Sequence, residues 1–474
     1  MNSGPYRSDG PMRTTLPAEA LTHVLARVGD GNQAFNRRYP GESIGRQPVH
    51  TVYGGAHLFR ADSARRLGAI ALRSLEEHAP NCTVFARALG LPEAEGLPEG
   101  AALAEALSHG PEALRTEAPS LWLASAVYDR VVAKLQREPV EDYRLDFEDG
   151  FGDRPNAEED ATAASAAGEM ARGLREGTLP PFVGIRIKSM SEETKVRAAR
   201  TLDIFVSTVL EQGGSLPPSF VVTLPKVTIP EQVTALVDLL RLLETANGLA
   251  AGSIALELML ESTQAFLTAD GRAALPGLLA AADGRCRGVH LGVYDYTASA
   301  NITALHQGLE HPASDFARHL MQVALAGTGA SIADGPTTRI PVGMTSAVHP
   351  AWRQSYRAIQ RALVGGFYQG WDLHPAQLPV RYAACYAFFL GGTAAAAERL
   401  GNFIRKAGQA TMVGNVFDDA ATGQGLLNFF LRALNCGAVT LPEVQATGLT
   451  LEEIQGRSFL RIVENRRTQV TPAT

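Results

Sequence analysis

From residue 143 onward, short apolar stretches recur at intervals of roughly 35 to 42 residues, the length of one strand-and-helix unit. They occupy 143–147, 182–187, 220–224, 254–260, a run around Leu291, 331–334 and 370–373, and an eighth at 49–53 precedes them. Helical patterns lie between them, such as the Ala-rich run opened by Asn156 with Glu158, Glu159 and Asp160 in its first turn, where acids suit the positive end of the helix dipole. Eight strands alternating with helices predict an α/β chain folded as a (β/α)8 TIM barrel. The alternative is an open doubly wound sheet, but no GxGxxG or P-loop signature stands at any strand-to-helix turn.

The flanks follow from composition. Residues 1–16 are polar with Gly and Pro and are expected to be a flexible tail. Residues 17–376 are expected to make the barrel, the domain that would carry any catalytic site, interrupted by a Gly-, Pro-, Ala- and Glu-rich excursion at about 89–118. Residues 377–474 change to nearly continuous helix (380–390, 395–406 and 425–434) and are expected to form a helical C-terminal extension. A net charge of −6 over 474 residues argues against non-specific nucleic-acid binding, which needs a basic field. No apolar run reaches the roughly 18 residues of a membrane span, and the first residues lack a secretory apolar segment. Cys82, Cys286, Cys385 and Cys436 form no metal spacing, which predicts reduced, buried thiols in the cytoplasm.

In a barrel, the residues just past each strand share one rim, where active sites sit. Here that rim is ionisable: Glu148 and Asp149, Arg186, Lys226, Glu261, Asp295, Asp334 and His374. The run 254–260 ends on Glu261, and the run through Val289, Leu291 and Val293 stops at Asp295. Two acids delivered by neighbouring strands suggest oxygen ligands for a hard cation such as Mg²⁺, with Mn²⁺ as a substitute. Arg186 alternates with Val183 and Ile185 in an apolar strand, so its charge needs a partner, and a metal-bound anion would supply one. Lys226 has a second reading as a salt-bridge partner of Asp149, Asp334 and Asp149 as turn formers, and His374 as a hydrogen-bonded rim residue.

At these residues the sequence resembles the HpcH/HpaI aldolase and citrate lyase β-subunit superfamily, and within it a divergent malyl-CoA lyase-like branch. The resemblance rests on LDFEDG (145–150), VGIRI (183–187), TLPKV (223–227), LMLES (258–262), GVYDYTAS (292–299) and DLHPAQ (372–377), in order over 143–377. It implies that Glu261 and Asp295 bind Mg²⁺, that Arg186 polarises the substrate's oxo group, and that Glu148, Asp149, Lys226 and His374 contact substrate. The segment 412–434 resembles one that supplies an acid to a neighbouring subunit, which implies a homo-oligomer with Asp418, or failing that Asp419, as the acid acting in trans. The first strand lacks the family's Arg-bearing entry motif, which helps bind CoA phosphates. The implied reaction is Mg-dependent carbon–carbon cleavage or formation through a metal-stabilised enolate of a 2-oxo acid or acyl-CoA. The alternatives are a CoA-independent class II aldolase joining a pyruvate-like acid to an aldehyde, and a non-catalytic ligand-binding barrel.

Overall fold

The computed structural model describes residues 15–41, 45–405, 411–413, 416–418, 420–456, 458, 461, 462 and 465. Eight parallel strands, β1 (His50–Gly55), β2 (Asp142–Asp146), β3 (Phe182–Arg186), β4 (Phe220–Leu224), β5 (Ala255–Leu260), β6 (Cys286–Leu291), β7 (Ser331–Ala333) and β8 (Gly370–Asp372), pair in sequence order, with β1 against β8. The bridge between Ala333 and Gln369, with Asp334 N donating to Gln369 O at 2.9 Å, brings β7 to β8 and closes the ring. The fold is therefore the (β/α)8 barrel that the strand spacing predicts.

The apolar face of each strand packs outward on the helices, so Leu145, Ile185, Val222, Leu258 and Val289 are all buried. The alternate residues face the barrel axis, and here that face is polar. Asp142, Arg144 and Asp146 follow one another at period two along β2. Arg144 donates to Glu257 Oε1 at 2.7 Å and Oε2 at 3.1 Å, and pairs with Asp142. Above this cluster Tyr53, Met259 and Trp371 make a small apolar layer, and Tyr53 Oη lies 3.1 Å from His290 Nδ1.

Several local expectations change. Glu159 and Asp160 do more than face a helix dipole: Glu159 is buried and accepts from Thr201 Oγ1 at 2.5 Å, while Asp160 pairs with Arg197 and Arg200. The 89–118 excursion contains the helices Gly100–Ser108 and Pro111–Glu117, which bury Leu103 and Leu114. Ahead of β1 runs the helix Ala18–Arg38, none of whose residues is buried. The C-terminal extension is helical as expected, but 378–405 is one helix and not two. It runs unbroken through Gly391 and Gly392, and at Gly392 it meets the Phe429 ring of the helix Ala420–Cys436, where a Cβ would lie 3.1 Å from that ring. Between these helices β9 (Thr411–Val413) and β10 (Val416–Asp418) form an antiparallel pair. No described helix is long and apolar enough to cross a membrane.

Candidate active site at the carboxylate rim

Strand register places the first pair. Asp146 and Arg186 are cross-strand partners at the last positions of β2 and β3. The Arg186 guanidinium is buried and clamps Asp146 through both oxygens, Nε to Oδ1 at 2.7 Å and Nη2 to Oδ2 at 2.5 Å. Asp146 is held in turn by the main-chain N–H groups of Glu148 (2.9 Å) and Gly150 (2.7 Å). The remaining nitrogen, Nη1, faces Glu148 Oε2 at 3.1 Å and Asp149 Oδ2 at 3.4 Å, and the guanidinium carbon lies 5.0 Å from the Tyr53 ring centre. Arg186 thus has a protein carboxylate as its main partner, which corrects the expectation that a bound anion satisfies its charge. Burial works against that charge, yet Asp146 and Glu148 hold the guanidinium firmly protonated.

Lys226 comes next around the rim. Its φ of 51° is in the left-handed region, which costs a residue with a side chain about 1–3 kcal/mol. Two contacts offset that strain: its N–H donates to Glu261 Oε2 at 3.1 Å, and its Nζ reaches Glu148 Oε1 and, at 3.2 Å, Asp149 Oδ1. The salt-bridge reading of Lys226 therefore holds, with Glu148 as a second partner. Burial alone would lower its proton affinity, but Glu148 and Asp149 raise it above the ordinary lysine value.

Glu261 stands immediately after β5 and is 3% exposed. Its side chain lies flat on Gly292, where a Cβ would come within 2.2 Å of its Cγ and 2.8 Å of Oε1. Burial, then the charges of Glu148 and Asp295, push its carboxyl up to about 8, with Arg186 and Lys226 pulling the other way. Burial likewise raises Glu148. In the more exposed Asp149, burial is outweighed by Arg186 and Lys226, which lower it. Asp295 is not at a strand exit: β6 ends at Leu291, and Tyr296 N donates to Gly292 O at 3.0 Å, starting a short helix, Val293–Ser299, with an exposed Asp295 in its first turn. Gly292→Ala is expected to push the Glu261 carboxylate aside with the barrel still folded, and to weaken any cation held through that carboxylate by at least tenfold; calorimetric titration with Mg²⁺ and far-UV circular dichroism check both halves.

His374 sits beside the rim as the cap of the turn Pro375–Gln377, its Nδ1 accepting from Ala376 N at 3.1 Å. Burial lowers its proton affinity. Asp334 is engaged by Arg318 Nε at 2.9 Å. The Asp418 side chain and the whole of Asp419 lie outside the described residues.

The rim's donor set suits a hard cation. It is made of carboxylate oxygens that raise one another's proton affinity, and Glu148 Oε2 is buried without an aligned hydrogen bond. Among the described residues no three His, Cys, Asp or Glu side chains form a ready-made metal cage. Mg²⁺ does not need one, since it commonly takes one or two carboxylates and completes its shell with water and substrate. Asp146, which the strand reading passed over, and Tyr53 are the residues that orient Arg186. The signal for Asp146 is the period-two run Asp142, Arg144, Asp146 in β2.

The chain is similar in structure to a citrate lyase from Burkholderia xenovorans LB400, at 20% identity over 70% of this chain and 91% of that one, with a TM-score of 0.49. It is also similar to the Haloferax volcanii malate synthase, native at 3 mM glyoxylate, at 16% identity, 68% and 88% coverage and a TM-score of 0.42. The magnesium and glyoxylate complex of that enzyme matches at 16% identity, 69% and 83% coverage and a TM-score of 0.39. No curated protein matches the sequence. A family model matches residues 28–462, and the chain belongs to that family, described as a domain of unknown function, DUF6986.

Proposed function

We propose that the protein is a Mg²⁺-dependent carbon–carbon lyase or aldolase acting on a 2-oxo acid or an acyl-CoA. The observation that supports this reading is the buried Arg186 at the C-terminal rim of the barrel, anchored through both oxygens of Asp146 and facing Glu148, with Glu261 just past β5 and Asp295 a turn past β6 on the same rim. Glu261 and Asp295 would hold the cation, with Glu148 beside them. When bound, Mg²⁺ supplies a Lewis acid and a template for the substrate's carboxylate and oxo oxygens.

The chain's own residues do the rest. Breaking or making a bond next to a carbonyl develops negative charge on the carbonyl oxygen. Arg186, fixed by Asp146 and stacked on Tyr53, would present Nη1, which now faces Glu148 and Asp149, to that oxygen from a guanidinium already held in place. Lys226 neutralises Glu148 and Asp149, so these acids do not repel an anionic substrate. The proton at the reacting carbon is assigned to Asp418, or to Asp419, from a neighbouring subunit of a homo-oligomer.

One observation favours the CoA-independent form of this chemistry. The arginine that follows β1, Arg60, turns its Nη1 back onto its own main chain, at Phe59 O (2.6 Å) and His57 O (3.3 Å), so a CoA phosphate would have to compete with these carbonyls for it. Calorimetric titration with Mg²⁺, with and without oxalate, tests the metal; turnover of oxo acids with and without acyl-CoA thioesters separates the two forms. Mg²⁺ and oxalate are expected to strengthen one another's binding. Absence of Mg²⁺ binding at millimolar concentration would end the proposal and leave a non-catalytic ligand-binding barrel.

A further inference from the structure

The opposite, N-terminal mouth of the barrel encloses a cavity of about 410 Å³. Its wall is apolar where Phe182, the first residue of β3, and Val221 of β4 line it. Its floor is the cluster of Asp142, Arg144 and Glu257, whose members bond to one another and to Thr51 and Thr223. By position along the strands, that cluster separates the cavity from Arg186 and the rim. What enters here is therefore not the substrate of the rim site.

The mouth of the cavity is basic. Arg46, Arg287 and Arg432 line it. Arg46 is neutralised by Glu138 and Glu141. Arg432, carried by the C-terminal helix Ala420–Cys436, reaches Gln47 and lies 4.9 Å from the Tyr368 ring centre. Arg287 stands exposed just after the start of β6, and among the described residues its guanidinium makes no hydrogen bond or ion pair. The floor carries two carboxylates against one guanidinium, so an anionic group belongs at the outer end, beside Arg287 and Arg432. Phe182 and Val221 lie alongside for an apolar body.

We propose that this cavity is a second ligand site, taking a small organic anion whose carboxylate or phosphate head pairs with Arg287 and Arg432 while its apolar part lies against Phe182 and Val221. Because Arg432 comes from the C-terminal extension and Arg287 from the barrel, the ligand joins the two. A planar guanidinium matches either head group through paired N–H donors.

The test uses the full chain without Mg²⁺ at fixed ionic strength, titrated separately with inorganic phosphate, phenyl phosphate and benzoate. At least one organic probe is expected to bind saturably, more tightly than phosphate, and to raise the thermal midpoint. Preference for phenyl phosphate or benzoate identifies the head group. Arg287→Gln, at an exposed position, is expected to weaken binding about tenfold or more, the loss of one charge-assisted pair. Arg432→Gln should weaken it similarly, and Arg186→Lys should leave it unchanged. No saturable binding below about 10 mM, binding that survives Arg287→Gln, or binding abolished by Arg186→Lys would each overturn the proposal.

Discussion

Arg186→Lys is expected to lower turnover by about 10²- to 10³-fold, the loss that follows removal of one preorganised donor to a developing oxyanion. The charge survives this change; the fork does not. Lysine cannot span both oxygens of Asp146, which Arg186 reaches at 2.7 and 2.5 Å, and also present a nitrogen to the rim, where Nη1 now faces Glu148 at 3.1 Å. The fold should hold, with a stability loss of about 1–3 kcal/mol for the hydrogen bonds forfeited. Arg186→Ala is a different experiment, since it leaves the buried Asp146 without its cation, while Glu148 keeps Lys226, at a cost of roughly 3–5 kcal/mol. Comparing kcat with KM decides the role: a group acting only as charge develops lowers kcat and leaves KM nearly unchanged. Near-native turnover in Arg186→Lys would remove Arg186 from the chemistry and leave it a structural partner of Asp146.

The partner of Arg186 shows where sequence reading runs out. Period-two alternation in 182–187 made it plain that a charge sits on an otherwise apolar strand. Which carboxylate meets it depends on the register of β2 against β3, a relation between segments about 40 residues apart that no local pattern encodes. Asp295 fails for the opposite reason. Val289, Leu291 and Val293 alternate as a strand would, and a short apolar run does not distinguish a strand from the start of a buried helix. The ladder stops at Leu291 because Gly292 lies against Glu261 and its carbonyl takes the first helical hydrogen bond. The rim position of Asp295 survives that shift, since a turn of helix past β6 is still the C-terminal end of the barrel. The polar axis could have been anticipated from Asp142, Arg144 and Asp146, although its closure by Glu257 could not.

Glu261→Gln is expected to separate the cation from the fold. In metal-free protein the Glu261 carboxyl sits at about 8 against an ordinary value of 4.5, so below pH 4.5 it is protonated folded or unfolded and exerts no pH effect. Between those values the folded chain holds a proton that the unfolded chain has released. Stability therefore falls as pH rises, by up to about 1.4 kcal/mol per pH unit from this group, and the loss is complete above about pH 8. Glutamine mimics the protonated acid, so the metal-free variant should be as stable as the parent at pH 5 and more stable at pH 8. Mg²⁺ should act in the reverse sense. Its binding displaces the proton, so affinity in the parent strengthens with pH up to about 8, and saturating Mg²⁺ restores the stability that the parent loses. In Glu261→Gln the affinity should drop by about 100-fold, and the pH dependence of the thermal midpoint should flatten. Urea unfolding of both proteins at pH 5 and 8, with and without Mg²⁺, gives all four comparisons without any assay of turnover. Equal pH slopes in the two proteins, together with equal responses to Mg²⁺, would mean that this carboxylate neither holds the proton nor meets the cation.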